Sequence, residues 1–127
     1  MKIDYIDDVN SDYLADKMIR ISDFTNADIL DFYNLIQENL IKNKNSVDVS
    51  TINFIEAINC ELLFTISEQS KGLYENHKNS FICALTLSEY EDLIKFIHPF
   101  LNDPSGFQFL IDPVNHIELL LSSGGGW

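Results

Sequence analysis

The sequence predicts an α+β fold, with helices mainly in the N-terminal half packed on a small antiparallel or mixed sheet and a β-hairpin at the C-terminus. Three observations carry this expectation. Apolar residues recur at helical spacing in the first half of the chain, whereas compact apolar runs typical of buried strands dominate the second half. Helical and strand patterns are segregated rather than alternating, which favours α+β over a doubly wound arrangement. The chain has 127 residues, 46% of them hydrophobic, with nine phenylalanines and sixteen isoleucines. That suffices for one core in a single domain, residues 1–127, burying roughly two-thirds of the unfolded surface.

Residues 2–6 alternate weakly and read as an edge strand. Ser11 is placed to cap a helix over about 12–21, with Leu14, Met18 and Ile21 inward and Asp12, Asp16 and Asp23 outward. Asn26 is expected to cap a stronger helix over about 27–43, on which Ile29, Phe32, Tyr33, Ile36 and Leu40 form one apolar face. Asn43–Ser46 is a polar loop. Residues 51–67 fit two patterns, and the reading adopted is a helix through Asn59 followed by a strand. Glu68–Ser80 reads as a long loop, and Phe81–Leu87 as a strand buried on both faces. Ser88 and Glu91 have capping-box spacing and open a helix over 88–101, with Tyr90, Leu93, Ile94, Ile97 and Leu101 inward. Phe107–Ile111 and His116–Leu121 flank Asp112-Pro113-Val114-Asn115 as the two strands of a hairpin.

Charge narrows the functional classes. Twenty acidic side chains face eight basic ones, a formal net charge of −12, and Arg20 is the only arginine. Direct nucleic-acid binding needs clustered Lys and Arg, and an anionic membrane repels such a surface. A cationic partner is attracted and steered instead. Asp12, Asp28, Glu89, Glu91 and Asp92 fall in expected first helical turns, where they stabilise the dipole. Asp4, Asp7, Asp8, Asp16, Asp23, Asp31 and Glu38 have no such local reason and all precede residue 40. A nearly base-free stretch also follows Lys95. The charged N-terminus lacks the apolar core of a secretory signal, and the apolar runs are too short to span a bilayer, so a cytoplasmic location is expected.

No catalytic constellation emerges. His77, His98 and His116 lie in different elements without metal-ligand spacing. Cys60 and Cys83 sit in apolar runs that favour buried, inert thiols. There is no nucleophile elbow or phosphate loop, and Gly124–Gly126 is followed only by Trp127. A small-molecule enzyme would need at least two of His98, His116 and Glu118 to converge in a pocket. No cofactor or metal is therefore expected. Asp112-Pro113-Val114-Asn115-His116-Ile117-Glu118-Leu119 resembles the last hairpin of the vicinal oxygen chelate superfamily, which implies Glu118 as a metal ligand. The turn is one residue short, the superfamily requires paired βαβββ modules, and no early strand offers a histidine. The alternative is a plain hairpin turn with Glu118 facing solvent.

In size, acidity and absence of catalytic motifs, the chain resembles the immunity proteins of bacterial toxin systems of the contact-dependent growth inhibition type. No motif carries that resemblance. It implies a non-enzymatic inhibitor that covers the active site of a basic toxin such as a nuclease. The expected contact residues are Asp7, Asp8, Asp16, Asp23, Asp31 and Glu38, with Trp127 as an aromatic anchor. Ile-, Asn- and Lys-rich usage suggests an AT-rich bacterial genome. The second reading is a non-catalytic adaptor or homodimer using the C-terminal hairpin and Trp127. Oligomeric state is open at this point.

Overall fold

A computed structural model describes residues 1–7 and 17–123. In chain order the elements are β1 (Lys2–Asp7), β2 (Lys17–Ser22), α1 (Asn26–Leu35), a π-helical continuation (Ile36–Lys42), β3 (Val47–Asp48) and β4 (Glu56–Ala57). They are followed by β5 (Glu61–Ile66), β6 (Gly72–His77), β7 (Ser80–Leu85), α2 (Leu87–Ile97), β8 (Phe107–Phe109) and β9 (Ile117–Ser122), with 3-10 turns at Val49–Thr51 and His98–Leu101. The α+β class holds. There are two mixed sheets rather than one: a five-stranded sheet ordered β4-β1-β2-β9-β8 and a four-stranded sheet ordered β3-β5-β7-β6.

Each sheet is organised around a parallel pair of central strands. In the first, β2 runs antiparallel to β1 and parallel to β9, and β8 closes a C-terminal hairpin with β9. In the second, β5 runs parallel to β7, which pairs antiparallel with β6. Alternation sets the inner faces. Ile3, Ile19, Ile21, Ile117, Leu119 and Leu121 come from the first sheet, and Leu62, Phe64, Leu73, Phe81, Cys83 and Leu85 from the second. Ile29 and Phe32 of α1, Ile36 and Leu40 of the π-helical segment, and Tyr90, Leu93 and Ile97 of α2 complete one contiguous core. The Tyr5 ring, 4.7 Å from that of Phe81, joins the sheets, and Phe64 stacks edge-on to Tyr90 at 6.1 Å.

Several expectations are corrected. Lys17–Ser22 is a central strand and not the end of a helix. Met18, Ile19 and Ile21 are all buried because β2 has both faces covered, and that burial erases the alternation that would mark a strand. The rest of the expected helix lies outside the described residues. Residues 51–59 form no α-helix. Asn59 instead locks onto β1, accepting from the Tyr5 N–H at 2.7 Å and donating to the Tyr5 carbonyl at 2.9 Å. Gly72–His77, read as loop, is strand β6. Among the described residues the helices are not clearly concentrated at the N-terminus, since one α-helix stands in each half. Both helices also start earlier than expected, on threonine capping boxes: Thr25 with Asp28, and Thr86 with Glu89.

The 112–116 turn binds one sheet to the other. Asn115 Nδ2 donates to the carbonyls of Lys71 at 2.7 Å and Leu73 at 3.1 Å. Val114 sits directly over Gly72, where a Cβ would lie 2.5 Å from its Cγ2. These contacts occupy the outer edge of β6, which would otherwise present unpaired backbone groups.

Candidate functional site

Two of the N-terminal carboxylates, Asp7 and Asp23, stand apart. Asp7 ends β1, in register with Lys17, whereas Asp23 follows Ser22, whose partner is Lys2. These are opposite ends of a six-pair ladder, roughly 17 Å apart at about 3.4 Å per residue. Asp23 is exposed, adopts φ 55° and pairs with Lys2 at 3.1 Å. Asp31 is exposed on α1, and Glu38, on the π-helical continuation, lies 3.7 Å from Lys42. Asp4 has a local reason after all, since Arg20 donates to both its oxygens at 3.1 and 2.9 Å. Asp8, Asp16 and Trp127 lie outside the described residues.

A different group of side chains does converge. Glu89, Asp92 and Phe96 stand at i, i+3 and i+7 of α2, on one helical face. Tyr90, Leu93 and Ile97 form the neighbouring face and are fully buried. The first stripe flanks a groove of about 310 Å³ whose other wall is Phe109, Leu110, Ile111 and Asp112. Phe96 is 42% exposed there, while Leu110 is buried beneath it in the core. No Lys or Arg occurs between residues 96 and 123. The nearest base in sequence is Lys95, 3.8 Å from Asp92, with both side chains mostly in water.

The groove carboxylates differ in their commitments. Burial pushes Glu89 upward, but hydrogen bonds from the Thr86 N–H, the Ser70 hydroxyl and the Thr86 hydroxyl outweigh it and hold the group below its ordinary value. Its charge is fixed, and its oxygens already serve the helix cap. Asp92 is 63% exposed on its side chain, and Asp112 is exposed without an ion pair among the described residues. Close by in charge terms, Glu118 on β9 is held above its ordinary value by burial and by the Asp112 charge. Its Oε2 is buried and has no hydrogen-bond partner among the described residues.

The sequence alone does not reveal this groove, because Glu89 and Asp92 have a sufficient local explanation as first-turn charges. The available signals were Phe96, which falls off the inward stripe, and the base-free stretch after Lys95.

The other candidates stay apart. His77 is exposed at the end of β6, His98 packs edge-on against Tyr33 at 5.9 Å, and His116 is a turn residue at φ 61°. None of these histidines, nor Glu118, lines the groove. Among the described residues no group of three or more His, Cys, Asp or Glu side chains could hold a metal. The element order does not form the paired βαβββ modules that the Glu118 hairpin resemblance implied. Cys60 and Cys83 are free and buried, and burial pushes their thiols up to about 11 and about 12. Among the described residues no helix is long and apolar enough to cross a membrane. No protein-family model, curated protein or solved structure matches the chain.

Proposed function

We propose that this chain is a non-catalytic inhibitor of the immunity-protein kind, binding a basic protein toxin and covering its active site. The observation that carries this reading is the excess of carboxylates, 20 against eight bases, combined with exposed acids such as Asp31, Glu91 and Asp112 that stand outside the ion pairs among the described residues. An acidic inhibitor gains steered association and fits over a cationic catalytic cleft. The separation of Asp7 from Asp23 favours steering by a broad field over one acidic contact patch. Asp8, Asp16 and Trp127 remain part of the proposed contact surface.

Co-expression tests this. The product of the adjoining gene, toxic alone, is expected to be tolerated when this chain is co-expressed, and the two purified proteins should associate more slowly as salt rises. Continued growth arrest with both proteins present would remove the inhibitor reading. The alternative is an adaptor or homodimer built on the C-terminal hairpin, favoured by Phe107 at 53% exposure on β8. Deleting residues 123–127 is expected to abolish self-association in that case, whereas weakened toxin binding with no change in oligomeric state would favour the inhibitor.

A further inference from the structure

We propose that the groove between α2 and residues 109–112 is the anchoring site, and that it takes an arginine-bearing, partly apolar segment of the partner. This rests on the reading above for the partner's basic character and adds where and how it is held. The wall and floor are apolar: Phe96 at 42% exposure, Ile111 half-buried, and Leu110 beneath them. The rim is anionic, with Asp92 and Asp112 exposed and Glu89 held ionised by its cap bonds. A side chain suited to both has a long apolar stem and a delocalised cationic head, which is the chemistry of arginine. Its methylenes would lie on Ile111, its guanidinium could stack on Phe96, and its fork could meet Asp92 or Asp112.

Lys95 does not block the site. Its contact to Asp92 is 3.8 Å between side chains 78% and 63% exposed, and such surface pairs are weak and readily exchanged. A second copy of this chain is a poor occupant, because it brings a net charge of −12 and one arginine, which already holds Asp4. Steering and anchoring thus fall to different residues: the dispersed acids, including Asp31 and Glu38, raise the encounter rate, and the groove sets the dissociation rate.

The test uses the full chain, labelled with nitrogen-15, and the peptide acetyl-Leu-Arg-Leu-Arg-Leu-amide. Saturable amide shifts are expected at residues 89–96 and 109–112. The D92K/D112K variant should bind about tenfold more weakly and D31K/E38K less than twofold. Both pairs are exposed, so their amide spectra also report that the fold is retained. F96S should weaken binding without changing its salt dependence, and a peptide with Gln in place of Arg should not bind. Shifts spread over all the acidic surface, or affinity unaffected by D92K/D112K, would overturn the proposal. The growth assay separates the two readings. If the unaltered chain and D92K/D112K protect equally, the groove is wrong and the inhibitor reading stands. If the unaltered chain gives no protection but the peptide maps to the groove, the groove stands and the inhibitor reading fails.

Discussion

Gly72 adopts φ +71° with Val114 Cγ2 only 2.5 Å from where a Cβ would stand. Two constraints therefore select glycine: left-handed backbone and a close approach by the 112–116 turn. Gly72→Ala is expected to destabilise the protein by about 1–3 kcal/mol in urea unfolding. Adding Val114→Ala should recover the steric part and leave the backbone part. Glu118 makes the opposite kind of prediction. Burial, then the Asp112 charge, raises its pKa above the unfolded value. The unfolded chain therefore ionises first as pH rises, and stability present at low pH is lost as pH climbs from the ordinary carboxylate pKa through the folded value. Glu118→Gln removes that loss. It should be more stable than the parent at pH 7, with the difference shrinking as pH falls below the ordinary carboxylate range. A pH series of unfolding midpoints checks this, and a difference that widens on acidification contradicts the assigned burial. If instead Glu118 awaits a partner's cation, the Gln variant gains stability alone and loses affinity in the complex.

The threonine caps show how an element is fixed by a few atoms. The Thr86 hydroxyl accepts from the Glu89 N–H at 3.2 Å, and Glu89 Oε1 accepts from the Thr86 N–H at 2.9 Å. Thr86→Ala should cost about 1 kcal/mol of stability by thermal unfolding. It should also relax Glu89 toward its ordinary pKa, since burial would then meet less opposition. Ser88 and Glu91 have the same spacing and would serve equally as a capping box. Structure prefers Thr86 because β7 ends at Leu85 and leaves a single residue in which to turn. Helices 1 and 2 were legible because their apolar stripes leave one solvent face, and the C-terminal hairpin because Asp112-Pro113-Val114-Asn115 marks a turn between two apolar runs. Strand β2 was not, because Met18 on one face and Ile19 and Ile21 on the other are all buried. Strand β6 was hidden for the reverse reason. Its Glu75, Asn76 and His77 are exposed and only Gly72 and Leu73 are buried, although the strand pairs along its length with β7.

Across the whole molecule the acidity was legible as a number but not as a surface. Asp4 to Glu38 form a tight cluster in sequence, yet an antiparallel ladder carries Asp7 and Asp23 to opposite ends. Conversely, Asp92 and Asp112 stand twenty positions apart and meet across one groove only because α2 packs beside β8. Spacing along a chain does not encode such long-range neighbours. A net charge of −12 should also destabilise the native state by self-repulsion, with only weak compensation from ion pairs that are largely exposed, such as Lys2–Asp23 and Lys42–Glu38. Raising sodium chloride from about 0.02 to about 0.3 M shortens the screening length from roughly 20 Å to under 10 Å, which weakens repulsion between distant acids more than attraction within close pairs. The melting temperature is therefore expected to rise by several degrees. D31K/E38K/D92K/D112K changes four acids to bases and brings the charge from −12 to −4, so its melting temperature should start higher at low salt and respond less to sodium chloride. The same salt increase should slow association with a basic partner, because screening that relieves repulsion within the chain also removes the steering field. Opposite salt responses of stability and association rate, both reduced in the four-site variant, identify one cause for the two. A melting temperature that falls with salt would instead place the close ion pairs above the net charge in holding this fold.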